Sequence, residues 1–140
     1  MTRDEQQLEV INKSLASNLS RHTLVLSTGF GKSKVAIEIC RAKRPQNILI
    51  LVNSTDLRDF SWRDEFVKFG CEDMYNNIVE TVTYQTAYKW TPESKNLDGY
   101  LVIADEVDFV GGTVELSRFF SSYPTLPVVG LTGFITSHFN

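Results

Sequence analysis

The sequence is poor in cysteine and has no long hydrophobic run. Its two cysteines, Cys40 and Cys71, are too few for a disulfide framework, and neither has metal-ligand spacing to a histidine. No apolar run approaches the roughly 18 residues that cross a bilayer. The polar first six residues are unlike a secretory signal peptide. We therefore expect a reduced, intracellular protein without a membrane partner.

The chain also lacks a strong net charge. A formal charge of −3 argues against a basic protein that binds nucleic acid by charge alone. The charges are uneven, however, because residues 98–115 contain five acidic side chains and no base, whereas basic residues cluster over 32–44. With 140 residues and 42% apolar content, the sequence predicts one globular domain over 1–140.

Segments of helical and extended character alternate along the chain. Their spacing predicts helices over 4–17, 32–43, 55–69, 84–90 and 113–121, and strands over 23–27, 47–52, 78–83, 100–104 and 127–131. Right-handed crossovers between such strands produce an α/β fold with a mainly parallel, roughly five-stranded sheet and helices on both faces. Ligands bind such sheets beyond the carboxyl ends of the strands.

Two of the predicted helices have apolar residues at helical spacing. In the first helix, with Thr2 as its N-cap, the expected inner face is Leu8, Ile11 and Leu15. In the helix over 55–69, the expected anchors are Phe60, Phe66, Val67 and Phe69. Trp62 and Trp90 are expected to be core or partly buried aromatics.

A glycine-containing turn lies between the first strand and the second helix. Glycine permits positive φ and close backbone approach, and N–H groups at a helix start attract anions. Lys32 would reach the β- and γ-phosphates of a nucleotide, and the Ser33 hydroxyl would ligate Mg²⁺. The predicted phosphate-binding positions are Thr28, Gly29, Phe30, Gly31, Lys32 and Ser33. The strict motif has glycine at position 26, where this chain has Leu26. A surface turn with an incidental lysine is therefore the alternative. The strand–turn–helix context favours the phosphate site.

A pair of acidic residues follows the fourth predicted strand. Hydrolysis of a nucleoside triphosphate needs a carboxylate near Mg²⁺ and an acceptor that orients the attacking water. Asp105 suits the first role and Glu106 the second, and neighbouring side chains on extended backbone diverge. An acidic cap or loop is the alternative. We expect the pair to meet the 28–33 loop across adjacent strand ends.

Together these motifs resemble the first motor domain of a superfamily 2 helicase or translocase. The loop over 29–33 resembles the P-loop of that family. The sequence DEVD at 105–108 agrees with the family's Asp-Glu-x-His/Asp box. The chain is similar in its motifs to DEAD/DEAH-like helicases of phages and to restriction or remodelling translocases. The resemblance implies a P-loop RecA-like three-layer domain that uses ATP and Mg²⁺. It also implies a cytoplasmic location, in a bacterial host if a phage encodes the chain.

The resemblance implies roles for residues outside these two motifs. Gln6, in the sequence RDEQ, would read adenine. Two segments after the second and third strands would face nucleic acid, DNA rather than RNA, through Ser54, Thr55, Tyr84 and Gln85. Asp108 and Thr132 would couple the ATP site to movement. For each of these residues an ordinary cap, turn or helix-surface position is the alternative.

The chain departs from the family in two motifs and in its extent. Leu26 and Ser27 replace the usual small residue and proline before the loop, and residues 130–135 lack the second hydroxyl of the coupling motif. The sequence stops at Asn140, before the second RecA-like domain that supplies an arginine finger. We expect that domain in cis or in trans, and expect poor hydrolysis without it.

Two function classes follow from these features. The first is the ATP-binding N-terminal motor domain of an ATP-dependent nucleic-acid helicase or translocase, an enzyme incomplete on its own. The second is a non-catalytic, helicase-like binding or adaptor module that docks on another protein or on DNA. A P-loop kinase fits less well, because Arg118 is the only arginine after residue 63 and cannot form an arginine-rich lid.

Overall fold

The strands form one parallel sheet. The structure, a computed structural model, describes residues 2–27, 29–106 and 113–133, with Thr113 described by its backbone alone. The sheet has the strand order β1-β5-β4-β2-β3, and every pairing is parallel. The strands are β1 (Arg21–Val25), β2 (Asn47–Val52), β3 (Val79–Thr83), β4 (Tyr100–Ala104) and β5 (Val128–Thr132). The predicted parallel α/β sheet is confirmed.

Helices cover both faces of this sheet. They are α1 (Arg3–Ala16), α2 (Lys32–Lys43), α3 (Trp62–Lys68), α4 (Glu72–Ile78), α5 (Tyr84–Ala87) and α6 (Thr113–Ser122), and one π-helical turn (Leu57–Ser61) precedes α3. One hydrophobic core contains residues of α1, α2 and α3, and the other contains residues of α5 and α6. No described helix is long and apolar enough to cross a membrane.

Strand β2 shows why a continuous apolar run marks the centre of this fold. Ile48 and Ile50 pack into the core under α2, whereas Leu49 and Leu51 pack into the core under α6. Alternate side chains of a strand point to opposite faces, so a strand covered on both faces has no polar positions. The sequence prediction of a doubly buried strand over 47–52 is confirmed.

Helix α2 has the bounds predicted from the sequence. It begins after Gly31, whose φ is 88°, and ends at Arg44, which adopts a left-handed conformation with φ 49° and bonds its N–H to the Cys40 carbonyl. Pro45 follows and cannot continue a helix. Both ends are therefore determined by local backbone chemistry.

The inner face predicted for α1 is confirmed at Ile11 and wrong at Leu8 and Leu15. Leu8 is 56% exposed and Leu15 is 36% exposed, while Gln7, Ile11 and Ser14 are buried. The polar members of this face have partners, since Ser14 Oγ lies 2.7 Å from His22 Nε2 on β1. The Thr2 N-cap is confirmed by the bond from the Glu5 N–H to its hydroxyl.

The segment after β2 also differs from the prediction. The helix expected over 55–69 is a π-helical turn followed by α3, and its buried residues are Trp62 and Phe66. Phe60 and Val67, expected as anchors, are 62% and 40% exposed. Helix α4 was not predicted, and β3 begins one residue later than expected, at Val79.

Candidate functional site

The glycine turn forms a concave backbone surface at the start of α2. Gly29 and Gly31 both have positive φ, 83° and 88°, and the Phe30 N–H bonds to the Ser27 carbonyl. Among the residues that the structure describes, no side chain caps the first turn of α2, and that turn contains no acidic residue. Its N–H groups therefore remain available to an anion. Thr28, a predicted contact, lies outside the described residues.

The ammonium of Lys32 lies beside both residues of the acid pair. Lys32 Nζ is 3.2 Å from Asp105 Oδ1 and 3.6 Å from Glu106 Oε1. The loop and the acid pair therefore meet at the carboxyl edge of the sheet, as expected from the sequence. The expectation that they follow adjacent strands is wrong, because β5 lies between β1 and β4.

Asp105 is held at three points. Trp62 Nε1 donates to Asp105 Oδ2 at 3.0 Å, and the Tyr84 hydroxyl donates to the Asp105 carbonyl at 2.6 Å. The Asp105 N–H donates to the Leu51 carbonyl at 2.9 Å, extending the ladder between β4 and β2. The residue is 4% exposed. Its backbone is fixed by neighbouring strands and its carboxylate by an indole.

Burial determines the protonation behaviour of Asp105. Removal of its carboxylate from water raises the pKa, and the nearby Lys32 ammonium and the Trp62 N–H oppose that rise. The net effect is a pKa above the ordinary aspartate value. A buried carboxylate with a raised pKa beside a lysine is typical of functional sites.

Glu106 is more accessible than Asp105. Its side chain is 45% exposed, and its backbone takes a positive φ of 50°. Asn53, which follows β2, donates from Nδ2 to Glu106 Oε2 at 3.2 Å. With Lys32 near its other oxygen, both carboxylate oxygens of Glu106 have a partner.

A pocket of about 140 Å³ opens between α2 and α3. Its lining includes Lys32, Ser33, Trp62 and Asp105, and the two predicted metal ligands are among them. No described N–H or O–H group aligns with Asp105 Oδ1, although the Lys32 ammonium lies 3.2 Å from it. A buried carboxylate oxygen without a hydrogen bond, in a pocket that Ser33 also lines, fits Mg²⁺ that keeps waters and phosphate oxygens as its other ligands.

Gln7, not Gln6, packs against the phosphate loop. Gln7 is 4% exposed, and its Nε2 donates to the Phe30 carbonyl at 2.7 Å. A Cβ on Gly31 would lie 2.4 Å from Gln7 Nε2, so this contact needs glycine there. Gln6 is exposed on α1, and its contact with adenine stays a prediction. The burial of Gln7 could not be predicted from an apolar pattern, because the residue is polar.

The four predicted nucleic-acid contacts differ in their exposure. Thr55 and Gln85 are exposed and Ser54 is partly buried, so all three remain candidates. Tyr84 is 1% exposed and donates to the backbone of Asp105, so its prediction as a surface contact is wrong. Tyr84 is the first residue of α5, directly after β3, and its side chain points into the core.

The predicted coupling residue Thr132 ends β5 beside the phosphate loop. It is 4% exposed, and its carbonyl accepts a bond from the Leu26 N–H at 2.9 Å. This contact joins the last strand to the residue that enters the loop. Asp108, the other predicted coupling residue, lies outside the described residues.

Comparisons with known proteins agree with this geometry. The family described as "Type III restriction enzyme, res subunit" matches residues 1–108. No curated protein matches the chain. The crystal structure of the UvsW helicase from bacteriophage T4 is similar with a TM-score of 0.75 at 21% sequence identity. That match covers 94% of this chain and 52% of the UvsW chain, so the chain spans about half the length of that relative.

Proposed function

The chain belongs to the type III restriction enzyme res subunit family, within superfamily 2, and we propose that it is the N-terminal ATP-binding motor domain of a nucleic-acid helicase or translocase. The observation that carries the proposal is the 3.2 Å approach of Lys32 Nζ to Asp105 Oδ1. It brings the anion-binding start of α2 and the acid pair to one edge of the sheet. These are the parts that phosphoryl transfer needs.

Each residue of the site has a distinct role in this proposal. Lys32 and the N–H groups of residues 29–33 bind the β- and γ-phosphates. Ser33 and Asp105 would hold Mg²⁺, which would offset the charge of the phosphates. Glu106 accepts a hydrogen bond from the attacking water and orients it. Gln6 is proposed to contact adenine from α1.

The lysine must change partners when the nucleotide arrives. In the structure Lys32 pairs with Asp105 and Glu106. A bound triphosphate offers Lys32 phosphate oxygens, which are strong partners for an ammonium group. With Lys32 on the phosphates, Asp105 Oδ1 would be free to hold a metal ion, and Glu106 Oε1 would be free to accept a hydrogen bond from water. The Lys32 ion pairs therefore hold both carboxylates close to the phosphate loop until the nucleotide binds.

The proposal includes nucleic acid and a second RecA-like domain as partners. Thr55 and Gln85 present exposed polar groups after the second and third strands, where a DNA backbone would pass. Coupling to movement would run through Thr132, and through Asp108 at the acidic motif. A second domain, in cis or in trans, would supply the arginine finger, so this domain alone should turn over ATP more slowly than about one per second. Such a motor would work in the cytoplasm.

Equilibrium binding of Mg·ATP tests the site directly. Lys32→Ala should weaken binding by about 100-fold, because a charge-assisted contact to phosphate is lost. Lys34→Ala is the matched control, since Lys34 lies on the same helix but pairs with the exposed Asp4 at 3.5 Å. Glu106→Gln should keep the affinity within about twofold while stopping any hydrolysis. Unchanged affinity in Lys32→Ala would contradict the assignment.

The alternative is a non-catalytic adaptor that docks on a protein or on DNA. It is favoured by the full engagement of Glu106, whose oxygens are held by Lys32 and Asn53. An adaptor of this kind would not need the phosphate site. Absence of Mg·ATP binding in the parent chain, with its fold intact by circular dichroism, would support this alternative.

A further inference from the structure

Trp62 contacts the proposed metal-binding carboxylate from the start of α3, and we infer that it is a positioning residue for Mg²⁺. The inference rests on the proposed function, because it assumes that Asp105 is the carboxylate beside the metal. Trp62 touches neither nucleotide nor metal in this scheme. It determines where the carboxylate of Asp105 points.

The geometry leaves the Asp105 carboxylate one orientation. Its backbone is fixed by the Leu51 carbonyl and the Tyr84 hydroxyl, so only rotation of the side chain remains free. Trp62 Nε1 holds Oδ2 at 3.0 Å. Both residues are nearly buried, each at 4% exposure, so water competes little for this bond. Oδ1 is thereby directed toward Lys32 and the pocket.

The chemistry of an indole suits this task. Its N–H is a neutral donor, so it occupies one carboxylate oxygen without adding a positive charge that would compete with a cation. A lysine at the same place would repel Mg²⁺. The indole is also rigid and packs against Phe66, with ring centroids 6.4 Å apart. Partners of metal-ligating carboxylates commonly act in this way.

The backbone before Trp62 is unusual in a way that fits this role. The π-helical turn over Leu57–Ser61 ends directly before Trp62, and Leu57 and Ser61 line the same pocket as Asp105. Such a turn shifts the angular position of the residues that follow it, and π-helical turns are frequent at functional sites. It places Trp62, instead of Phe60, against the core; Phe60 is 62% exposed.

The test compares Trp62→Phe with Trp90→Phe. Phenylalanine keeps an aromatic ring at position 62 but has no donor. Trp90 is the matched control, because it is partly buried beside Lys95, 5.3 Å from the Lys95 ammonium, and is the only other tryptophan. The probe is a fluorescent ATP analogue, titrated with Mg²⁺ and also in chelator. Trp62→Phe should raise the Mg²⁺ needed for half-maximal tight binding about 10- to 100-fold, with metal-free affinity within about twofold; Trp90→Phe should change neither.

The indole N–H resonances give a readout that does not need the variant to fold. In ¹⁵N-tryptophan-labelled parent protein, the Trp62 N–H should be protected from exchange and should shift on addition of Mg²⁺ with nucleotide. The Trp90 signal, identified with Trp90→Phe, should not. A Trp62 N–H that exchanges rapidly and ignores Mg²⁺ overturns the inference even if Trp62→Phe fails to fold.

The outcomes separate the two proposals. If the parent binds the analogue without any dependence on Mg²⁺, or not at all, the proposed function fails and this inference fails with it. If the parent shows the dependence and folded Trp62→Phe keeps the same Mg²⁺ requirement, the positioning role alone is overturned.

Discussion

Two lysine–carboxylate pairs lie in different parts of the molecule and differ in how well they are satisfied. At the carboxyl edge of the sheet, Lys32 lies 3.2 Å from Asp105, whose side chain is 5% exposed. In the other pair, Lys95 bonds both oxygens of Glu80 on β3, at 2.9 Å and 3.0 Å. Tyr100 donates to the same Glu80, and the Lys95 ammonium also lies over the Trp90 ring.

The difference separates a structural ion pair from one suited to binding. Hydrogen bonding to Glu80 raises the pKa of Lys95, so that pair stabilises its own charges. Burial raises the pKa of Asp105 in spite of the adjacent lysine, so its charge is disfavoured there. A buried charge without full hydrogen bonding costs stability, and proteins keep such groups where a ligand completes them.

Neutralising Asp105 and neutralising Glu80 should have opposite effects on nucleotide binding and on stability. This is the largest expected effect. Under the proposed function, Asp105→Asn should weaken Mg²⁺-dependent nucleotide binding by at least about tenfold, because Mg²⁺ would lose an anionic ligand. The free energy of unfolding should stay equal or rise, since a buried charge is removed. Glu80→Gln should leave binding unchanged and lower the stability. Nucleotide titration and urea unfolding measure both quantities.

A reversed pattern would contradict the distinction between the pairs. Loss of stability in Asp105→Asn together with unchanged nucleotide binding would make the Lys32 pair structural. Loss of binding in Glu80→Gln would connect the second pair to the site.

Removal of the second lysine should have a moderate effect on stability. Lys95→Met should lower the free energy of unfolding by about 1 kcal/mol, because a bidentate ion pair and a cation–π contact are lost from partly exposed groups. Binding of Mg·ATP should not change. Urea unfolding at neutral pH checks the first result. The control is Lys89→Met, which removes an exposed lysine that lies over the Tyr88 ring.

The smallest effect is a difference in pH dependence. The folded pKa of Asp105 lies above its ordinary 3.8, so the folded state binds the proton more tightly than the unfolded state does. The stability of the parent relative to Asp105→Asn should therefore fall as the pH rises from 3.8 through the folded pKa. The folded pKa of Lys95 lies above 10.5, so its contribution is present below that pH and disappears as pH rises through the folded pKa. Urea unfolding of the parent and of each variant as a function of pH measures both trends. A rise with pH in the stability of the parent relative to Asp105→Asn would contradict the prediction.

Local backbone chemistry made several elements predictable. Glycine before Lys32 and proline after Arg44 determine the bounds of α2, and the unbroken apolar runs identify β2 and β4. Strand β4 has the predicted limits because every side chain after Tyr100 is buried. The loop and the acid pair could be placed together because parallel strands end at one edge.

The remaining features depend on tertiary contacts and could therefore not be predicted from the sequence. The inner face of α1 includes Gln7 and Ser14, which are buried because the loop and His22 provide partners. Trp62 was expected in the core, but its donor function depends on Asp105, which is distant in sequence. Tyr84 was expected to contact nucleic acid because its segment resembles the family segment after the third strand, but its hydroxyl donates to the buried Asp105 carbonyl.

Strand β5 controls the width of the gap that a triphosphate would enter. Gly130 lies opposite Thr23 of β1 and also opposite Ala104 of β4, so main-chain ladders on both sides set the separation of loop and acids. Amino-acid replacements on the outer helices leave this separation unchanged. The distance between the loop and the acid pair therefore depends on backbone hydrogen bonds, which do not require particular side chains.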